Sequence, residues 1–557
     1  MTRTNAAIWF TADGYDPAAK GINGRRVAGE SFLRGFFAHA EVQEFVSLAH
    51  TSADHAAFAA MARAAGVTRP LRAVRLDQPA AIRPVEVVSY PAPIGTTECW
   101  RRAPYGGAAW ALCGITHTIS TRAVMQGFFD LRSAPQMPWD AVICTSAAVQ
   151  AAVRRLMELA EDHLARRFPG AILPARPLLP VIPLGVHGDD FTRDSAAGQG
   201  LRARLGIAPE DVVACTIARL TPDEKFDPFP LFLAMEEAQA RLTHAGKGRL
   251  HLILCGQFRI PHWQGVFEQG AARLMPSCGY HLTDGGDAEA RKATLSAADM
   301  FLFPIDNVQE TFGLAPVEAM AAGLPVIVSD WDGLRDTVTP EVGFRVPTEL
   351  PPPGTAMHLG QRHLGGTDGY VQHVGQLAAM TRLDVGALAR AVETLAVDPA
   401  LRARMGAAGQ ARARALYDWR AVIPQMQALW GEQAAMLAQA RARPGPLTAP
   451  LDPALVPVGP APEQMFAAYP SRRPAPDRRL RPVLLGDRPG VSDTLALRDY
   501  LFTRRLPEDP ARIAAVLAAH APAATAPEVA AATGLAPAIV ARATAWLLKY
   551  HFLEDAP

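Results

Sequence analysis

Glu310 and Glu318 are separated by the seven residues T-F-G-L-A-P-V, and this stretch has the residue types of an anion-binding helix start. The loop 311–315 is expected to open a helix with Pro316 at its first position, where no backbone N–H is needed, and Gly323 is expected to end it. Free N–H groups and the positive end of the helix dipole favour phosphate there, and Gly313 lets a ligand approach the backbone closely. Arg219 and Lys225 lie together upstream. Beside a helix N-terminus they suit a diphosphate, with Arg as a fork and Lys as a point charge. On that loop alone, solvated charges paired with Asp223 and Glu224 are the plainer reading. A Glu in the first helical turn also caps it, so a structural use of Glu318 stands beside a binding one.

Two further places could carry chemistry. His117 follows the apolar run 110–115, which puts it at the carboxyl end of an expected strand, where doubly wound sheets hold their ligands; elsewhere a lone histidine is usually structural. Near the start, Gly14, Gly21, Gly24 and Gly29 punctuate a long loop between a strand at 6–10 and a helix at 31–39. Such a loop can cradle phosphate or sugar, but its spacing is not G-x-G-x-x-G and no G-K-[ST] follows. The alternative is a surface loop with Arg25 and Arg26 in solvent.

The elements that must position these residues alternate. Strand-like runs recur at 42–48, 73–76, 86–90, 110–115 and 140–145, with helical patterns such as 54–66 between them, the signature of a doubly wound sheet. The run 178–187 reads as the last strand of a first domain and the polar stretch 188–199 as a hinge linker. A second α/β domain follows, with strands at 212–218, 250–255, 300–303 and 326–328. Its first strand ends at the Arg219 and Lys225 loop, and its third leads to Glu310, so both loops share one sheet edge.

At 557 residues the chain is too long for one core. Its 55 basic and 54 acidic side chains nearly cancel, which argues against nucleic acid as the partner. Six cysteines without a C-x-x-C pair, several in apolar strand-like runs, read as buried free thiols. With neither a signal design at the N-terminus nor a long uncharged apolar run, the expected location is the cytoplasm, with peripheral contact to the inner membrane face left open.

Beyond helices near 401–416 and 421–440 the composition changes. Between 443 and 490, 12 of 48 residues are proline, so an extended linker or surface strap is expected. The arginines 472, 473, 478, 479 and 481 within it suit an acidic lipid surface or a partner, a solvated charge run being the default. The segment 491–557 reads as a small helical module resembling a winged helix-turn-helix. From 493 onward it carries 6 basic against 7 acidic residues, too few cations for duplex binding, so packing or protein interaction is the expected use.

Arg219, Lys225 and the E-x7-E pair, with F-G-L-x-P between the glutamates and A-x-G-x-P-V-I-x-S-D after them, resemble the active-site pattern of retaining GT-B glycosyltransferases of family 4 (glycosyl transferases group 1). The resemblance runs from about 6 to 440 and is strongest from 216 to 338. It implies two Rossmann-like domains facing across a cleft: 1–190 on the acceptor side, 191–420 binding a nucleotide-sugar donor, and a crossover helix at 421–442. It further implies that Arg219 and Lys225 hold the donor's diphosphate, that Glu318 accepts from the ribose hydroxyls, and that Glu310 faces the transferred sugar. The backbone of Phe312, Gly313 and Leu314 would meet sugar and phosphate, His117 would approach the sugar from the first domain, and Gly24 would belong to the loop near phosphate and acceptor. Departures are Lys225-Phe226 in place of Lys-Gly and Asn23-Gly24-Arg25 in place of a Gly-Gly pair.

Asp330-Trp331-Asp332 has the D-x-D form of metal sites in the other major glycosyltransferase architecture, but it follows a strand deep in the second domain. Neither a metal nor a cofactor is expected, the nucleotide sugar being a substrate. The expected activity is transfer of a sugar from a nucleotide-diphosphate sugar to a carbohydrate, lipid or protein acceptor. Alternatives are a nucleotide-sugar hydrolase or phosphorylase, and a non-catalytic scaffold or regulator on the same fold.

Overall fold

The computed structural model describes residues 3–15, 24–475, 477–484, 486–498 and 510–557. The chain divides into two compact units, Met1–Gly459 and Pro460–Pro557.

The first unit holds two six-stranded parallel sheets. Strands β1 (Ala6–Trp9), β2 (Phe45–Ala49), β3 (Leu71–Arg75), β4 (Val87–Ser89), β5 (Ala111–Ile115) and β6 (Ala141–Ile143) form the first, in the order 3-2-1-4-5-6. The second contains β7 (Val212–Arg219), β8 (Leu250–Gln257), β9 (Gly279–Asp284), β10 (Met300–Phe303), β11 (Val326–Ser329) and β12 (Gly343–Val346). Its order, β12-β11-β10-β7-β8-β9, repeats the same topology. The inner strands are apolar on both faces because helices cover both sides of each sheet; β2, β10 and β11 are buried throughout. Each sheet reverses its winding once, between β1 and β4 and between β7 and β10, and ligands of such sheets sit outside the carboxyl ends of the strands at that point. The two Rossmann-like domains expected from the sequence are therefore present.

The segment 178–187 is not a strand. Val142 N–H donates to the Leu178 carbonyl at 2.9 Å and Cys144 N–H to Pro180 at 2.9 Å, so it lies along β6. Pro180 and Pro183 supply no donors, however, and only isolated bridges form. The linker at 188–199 is partly helical: Asp194 caps the helix Ser195–Arg204 by accepting from Ala196 and Ala197 N–H groups. The helix expected at 31–39 begins at Gly24 and runs to His39, so Gly24 opens a helix rather than lying in a loop; residues 16–23 lie outside the described residues.

The helix Trp419–Ala442 crosses back onto the first domain. Trp419, Val422, Ile423, Trp430 and Leu437 enter that domain's core beside Phe36 and Phe45, and Trp430 meets Phe36 edge to face at 5.8 Å. Trp419 fits because Gly35 and Gly185 lack side chains: a Cβ on either would lie 2.4 or 2.3 Å from the indole. Where the chain passes between domains its two crossings are hydrogen-bonded, Val186 N–H to Tyr417 O at 2.7 Å and Trp419 N–H to Val186 O at 3.1 Å.

The proline-rich stretch divides at residue 459. Its first part straps onto the first domain, where Leu451 N–H donates to Ala103 O at 2.9 Å. Its second part supplies β15 (Leu480–Pro482), which pairs antiparallel with β16 (Leu553–Asp555), so the C-terminal unit starts at 460 rather than 491. A shorter antiparallel pair, β13 (Thr348–Glu349) with β14 (Arg382–Leu383), belongs to the second domain. In the C-terminal unit the helices Pro510–Ala519, Ala526–Thr533 and Pro537–Lys549 enclose Ile513, Val516, Val529, Val540 and Leu547. Three arginines of the cluster pair within the unit: Arg478 with Asp555, Arg479 with Glu528 and Arg481 with Glu554. Among the described residues no single helix is long and apolar enough to cross a membrane; one bent pair, Ala526–Thr533 with Pro537–Lys549, passes by length and composition, and its apolar residues form that core.

Candidate active site

The loops after β7 and β10, which flank the reversal of the second sheet, bring Lys225 and Glu310 together. Lys225 Nζ forms an ion pair with Glu310 Oε2. The two side chains are only 19% and 13% exposed, and the Lys225 ammonium lies 5.2 Å above the Phe303 ring. Glu310 Oε1 accepts from Gly313 N–H at 3.0 Å. Burial pushes the Glu310 carboxyl upward, but the Lys225 charge and the backbone N–H groups of Gly313 and Phe312 outweigh it and hold it below the usual carboxylate range.

Gly313 is the pivot of this turn. Its φ is +84°, and a Cβ there would lie 2.5 Å from Leu334 Cδ2, so two independent constraints require glycine. The helix it caps, Leu314–Ala321, starts two residues before Pro316, which therefore occupies the third helical position rather than the first. Gly323, with φ +79°, follows the end of this helix as expected. Leu314 opens the helix, and the Phe312 ring turns inward against Tyr417 at 5.9 Å, leaving its backbone at the site.

With the helix starting at Leu314, Glu318 lies in the second turn, beyond reach of a capping role. Burial pushes its carboxyl up to about 7, against the opposing pull of Arg291. Among the described residues it has no hydrogen-bond or ion-pair partner.

Arg219 ends β7 and stays 44% exposed; its Nη2 donates to Gln309 Oε1 at 2.8 Å. Glu224 is not a solvated partner: its side chain is 5% exposed and sits between Arg219 at 3.5 Å and Arg259 at 2.6 Å. The loop is thereby braced, with the Arg219 guanidinium toward solvent.

His117 lies two residues beyond β5 on the first domain, its Nε2 at 2.8 Å from the Pro91 carbonyl. It borders a small apolar cavity of about 40 Å³ lined also by Tyr15, Tyr90, Ile115 and Trp419. Gly24 stands at the start of the Gly24–His39 helix of the same domain. The structure thus gathers Arg219, Lys225, Glu310, Phe312, Gly313 and Leu314 on one domain and leaves His117 and Gly24 on the other. The domains touch where Ser146 Oγ donates to Asp332 Oδ1 at 2.9 Å and Ala147 N–H to Asp336 Oδ2 at 2.7 Å.

Asp330 and Asp332 diverge. Asp330 lies near Arg335 and Arg345 at 3.6 and 3.5 Å, whereas Asp332, at φ +42°, points to Ser146, and burial raises its carboxyl to about 7. His281 and Asp284 lie on β9, where the His281 ring stacks on His251 at 5.3 Å.

Sequence reasoning missed Asn307. Fully buried, its Nδ2 donates to Asp223 O at 2.8 Å, its Oδ1 accepts from Gln309 N–H at 2.9 Å and its carbonyl accepts from Trp331 Nε1 at 3.2 Å. One amide thus ties the Lys225 loop to the Glu310 loop. Its position just beyond a strand's carboxyl end was the available signal.

Residues 200–351, which include all of this cluster, match the family described as glycosyl transferases group 1. The chain is 26% identical over 266 residues to a GDP-mannose-dependent monoacylated alpha-(1-6)-phosphatidylinositol monomannoside mannosyltransferase of Corynebacterium glutamicum, covering 46% of this chain and 57% of that protein. It is 27% identical over 259 residues to a GDP-mannose-dependent alpha-(1-6)-phosphatidylinositol monomannoside mannosyltransferase of Mycolicibacterium smegmatis, covering 46% of this chain and 56% of that protein. The chain therefore spans little more than half the length of these curated relatives. A solved glycosyltransferase from Rickettsia africae aligns with a TM-score of 0.49 at 12% identity, over 77% of this chain and 99% of that one.

Proposed function

We propose that the chain is a retaining glycosyltransferase that moves a sugar from a nucleoside-diphosphate sugar to an acceptor held between its two Rossmann-like domains. The observation that supports this most is the Lys225–Glu310 pair at the reversal point of the second sheet, beside a helix start with Gly313 at its cap. Without ligand the pair keeps both charges in place. When a diphosphate arrives, Lys225 turns to it together with the outward Arg219 guanidinium, and the two cations stabilise charge developing on the leaving group. Glu310, released from Lys225 but still bonded to Gly313 N–H, accepts from hydroxyls of the transferred sugar. Glu318 accepts from the ribose, a use that suits a half-buried carboxyl with no partner of its own among the described residues. His117 closes on the sugar from the first domain.

Because Arg219 and Lys225 supply the positive charge, and Asp330 and Asp332 are engaged elsewhere, the reading includes no essential metal and no cofactor. The mannosyltransferase names of the relatives make GDP-mannose the first donor to test, and their lipid acceptors make peripheral membrane contact part of the proposal. Calorimetric titration with GDP and UDP tests it: one of them binds the wild type, and Glu318→Ala weakens that binding at least tenfold. Absence of binding by either nucleotide removes the reading.

A further inference from the structure

Between β12 and the helix Val385–Val397 the second domain carries a helical hairpin, Met357–Leu364 and Tyr370–Ala378, raised on the two-stranded neck of β13 and β14. The hairpin is internally braced. The His363 and His373 rings stack at 4.3 Å, 12° from parallel, and Arg362 donates to both oxygens of Asp368 at 2.7 and 2.6 Å across the turn.

Two loops meet this hairpin. On one side Tyr370 Oη lies 3.0 Å from Ser120 Oγ and 3.4 Å from Thr118 Oγ1, and Arg122 Nη1 donates to Leu364 O at 3.4 Å. Those residues belong to the first domain, directly after His117. On the other side Gly375 backs onto Asp223, close enough that an added Cβ would lie 3.2 Å from Asp223 Cβ. Asp223 begins the turn that carries Lys225, and its carbonyl is the one Asn307 holds. A single braced element of the second domain therefore touches the His117 loop and the Lys225 loop at once.

We infer that Tyr370 is a positioning residue: through its hydroxyl the hairpin clamps the 118–120 loop when the cleft is closed, setting His117 against the Lys225–Glu310 pair. The inference rests on the transferase reading above. Removing one such hydrogen bond shifts the closed-to-open ratio by roughly two- to tenfold.

The test uses the full chain with Tyr370→Phe, Ser120→Ala and both together. All six native cysteines are buried, so spin labels can be attached at Leu159→Cys and Val397→Cys, exposed sites on the two domains. Each single variant is expected to lower the closed fraction within that range, Tyr370→Phe at least as much as Ser120→Ala because it also loses the contact to Thr118, and the double variant no further than Tyr370→Phe. With GDP-mannose as the probe donor, kcat falls in parallel while the dissociation constant for GDP stays within twofold, since the proposed nucleotide contacts all lie on the second domain. An unchanged closed fraction in Tyr370→Phe, additive losses in the double variant, or GDP affinity falling in step with the melting temperature each overturn the clamp. If the wild type turns over no nucleotide sugar, the transferase reading fails instead, and the label distances still decide whether Tyr370 holds the domains.

Discussion

Removing the charge of Lys225 while keeping its bulk, as in Lys225→Met, isolates what the buried pair does. Methionine keeps the bulk of the stem and loses the ammonium that faces Phe303 and Glu310, so the loss is electrostatic. Breaking a fully buried ion pair from one side costs about 3–5 kcal/mol. Here the partners keep 19% and 13% exposure and Glu310 retains its Gly313 N–H bond, so about 2–3 kcal/mol is expected at neutral pH. The pH dependence has a definite sign. In the wild type Glu310 is held below its ordinary 4.5, so its contribution is present above that value and is lost as pH falls through the lowered one. Without the ammonium, burial dominates and the carboxyl rises above 4.5, so the variant loses stability as pH rises past that point. The difference between the two proteins is therefore largest near pH 7–8 and shrinks toward pH 4. Urea unfolding followed by tryptophan fluorescence from pH 4 to 8 measures it, and adding Glu310→Gln to Lys225→Met should recover most of the loss. A cost below about 0.5 kcal/mol at pH 7.5, or one that does not vary with pH, would refute the buried-pair account.

Other consequences are equally specific. Because burial raises the Glu318 carboxyl to about 7, folding stability is lost as pH rises from 4.5 toward 7. Glu318→Gln removes that loss, measurable as a gain over wild type in unfolding free energy at pH 8. If ribose hydroxyls donate to the charged form, nucleotide affinity tightens from pH 6 to 8 in the wild type by more than in Glu318→Gln; equal slopes in titration calorimetry would count against the ribose role. Gly313→Ala forces a left-handed backbone and a 2.5 Å contact with Leu334, so a loss of about 1–3 kcal/mol in urea unfolding is expected. Asn307→Ala leaves Gln309 N–H and Asp223 O unpaired, with an expected cost of about 2–3 kcal/mol and turnover lowered more than donor affinity in steady-state kinetics.

The sheets were legible because their strands are continuous apolar runs bounded by turn residues; 300–303 was placed to the residue. The loops that carry Arg219, Lys225, Glu310 and Gly313 were expected at one sheet edge because they follow the apolar runs of β7 and β10, and there they lie. What failed was local. A periodic pattern at 178–187 looks like a strand until the missing N–H groups of its prolines are counted. Pro316 fits a first helical position, but the left-handed conformation of Gly313 starts the helix sooner and moves Glu318 out of capping reach. β9 is absent from the expected strands because G-Y-H-L-T-D mixes polar with apolar residues instead of forming an apolar run. The boundary at 460 depends on pairing between residues distant in sequence, Leu480 with Asp555, which no local pattern encodes. Asn307 and Tyr370 escaped for the same reason, since their partners are distant in sequence.

The central claim is chemical, and donor turnover tests it most directly. With GDP-mannose and UDP-glucose supplied separately in the presence of EDTA, release of nucleoside diphosphate is followed together with the anomeric configuration of the product by NMR. The account predicts release from one donor despite chelation, with retained configuration and at least a hundredfold loss in Lys225→Ala and Glu310→Gln. Turnover that is unchanged in both variants, or that vanishes with EDTA and returns with manganese, would contradict it.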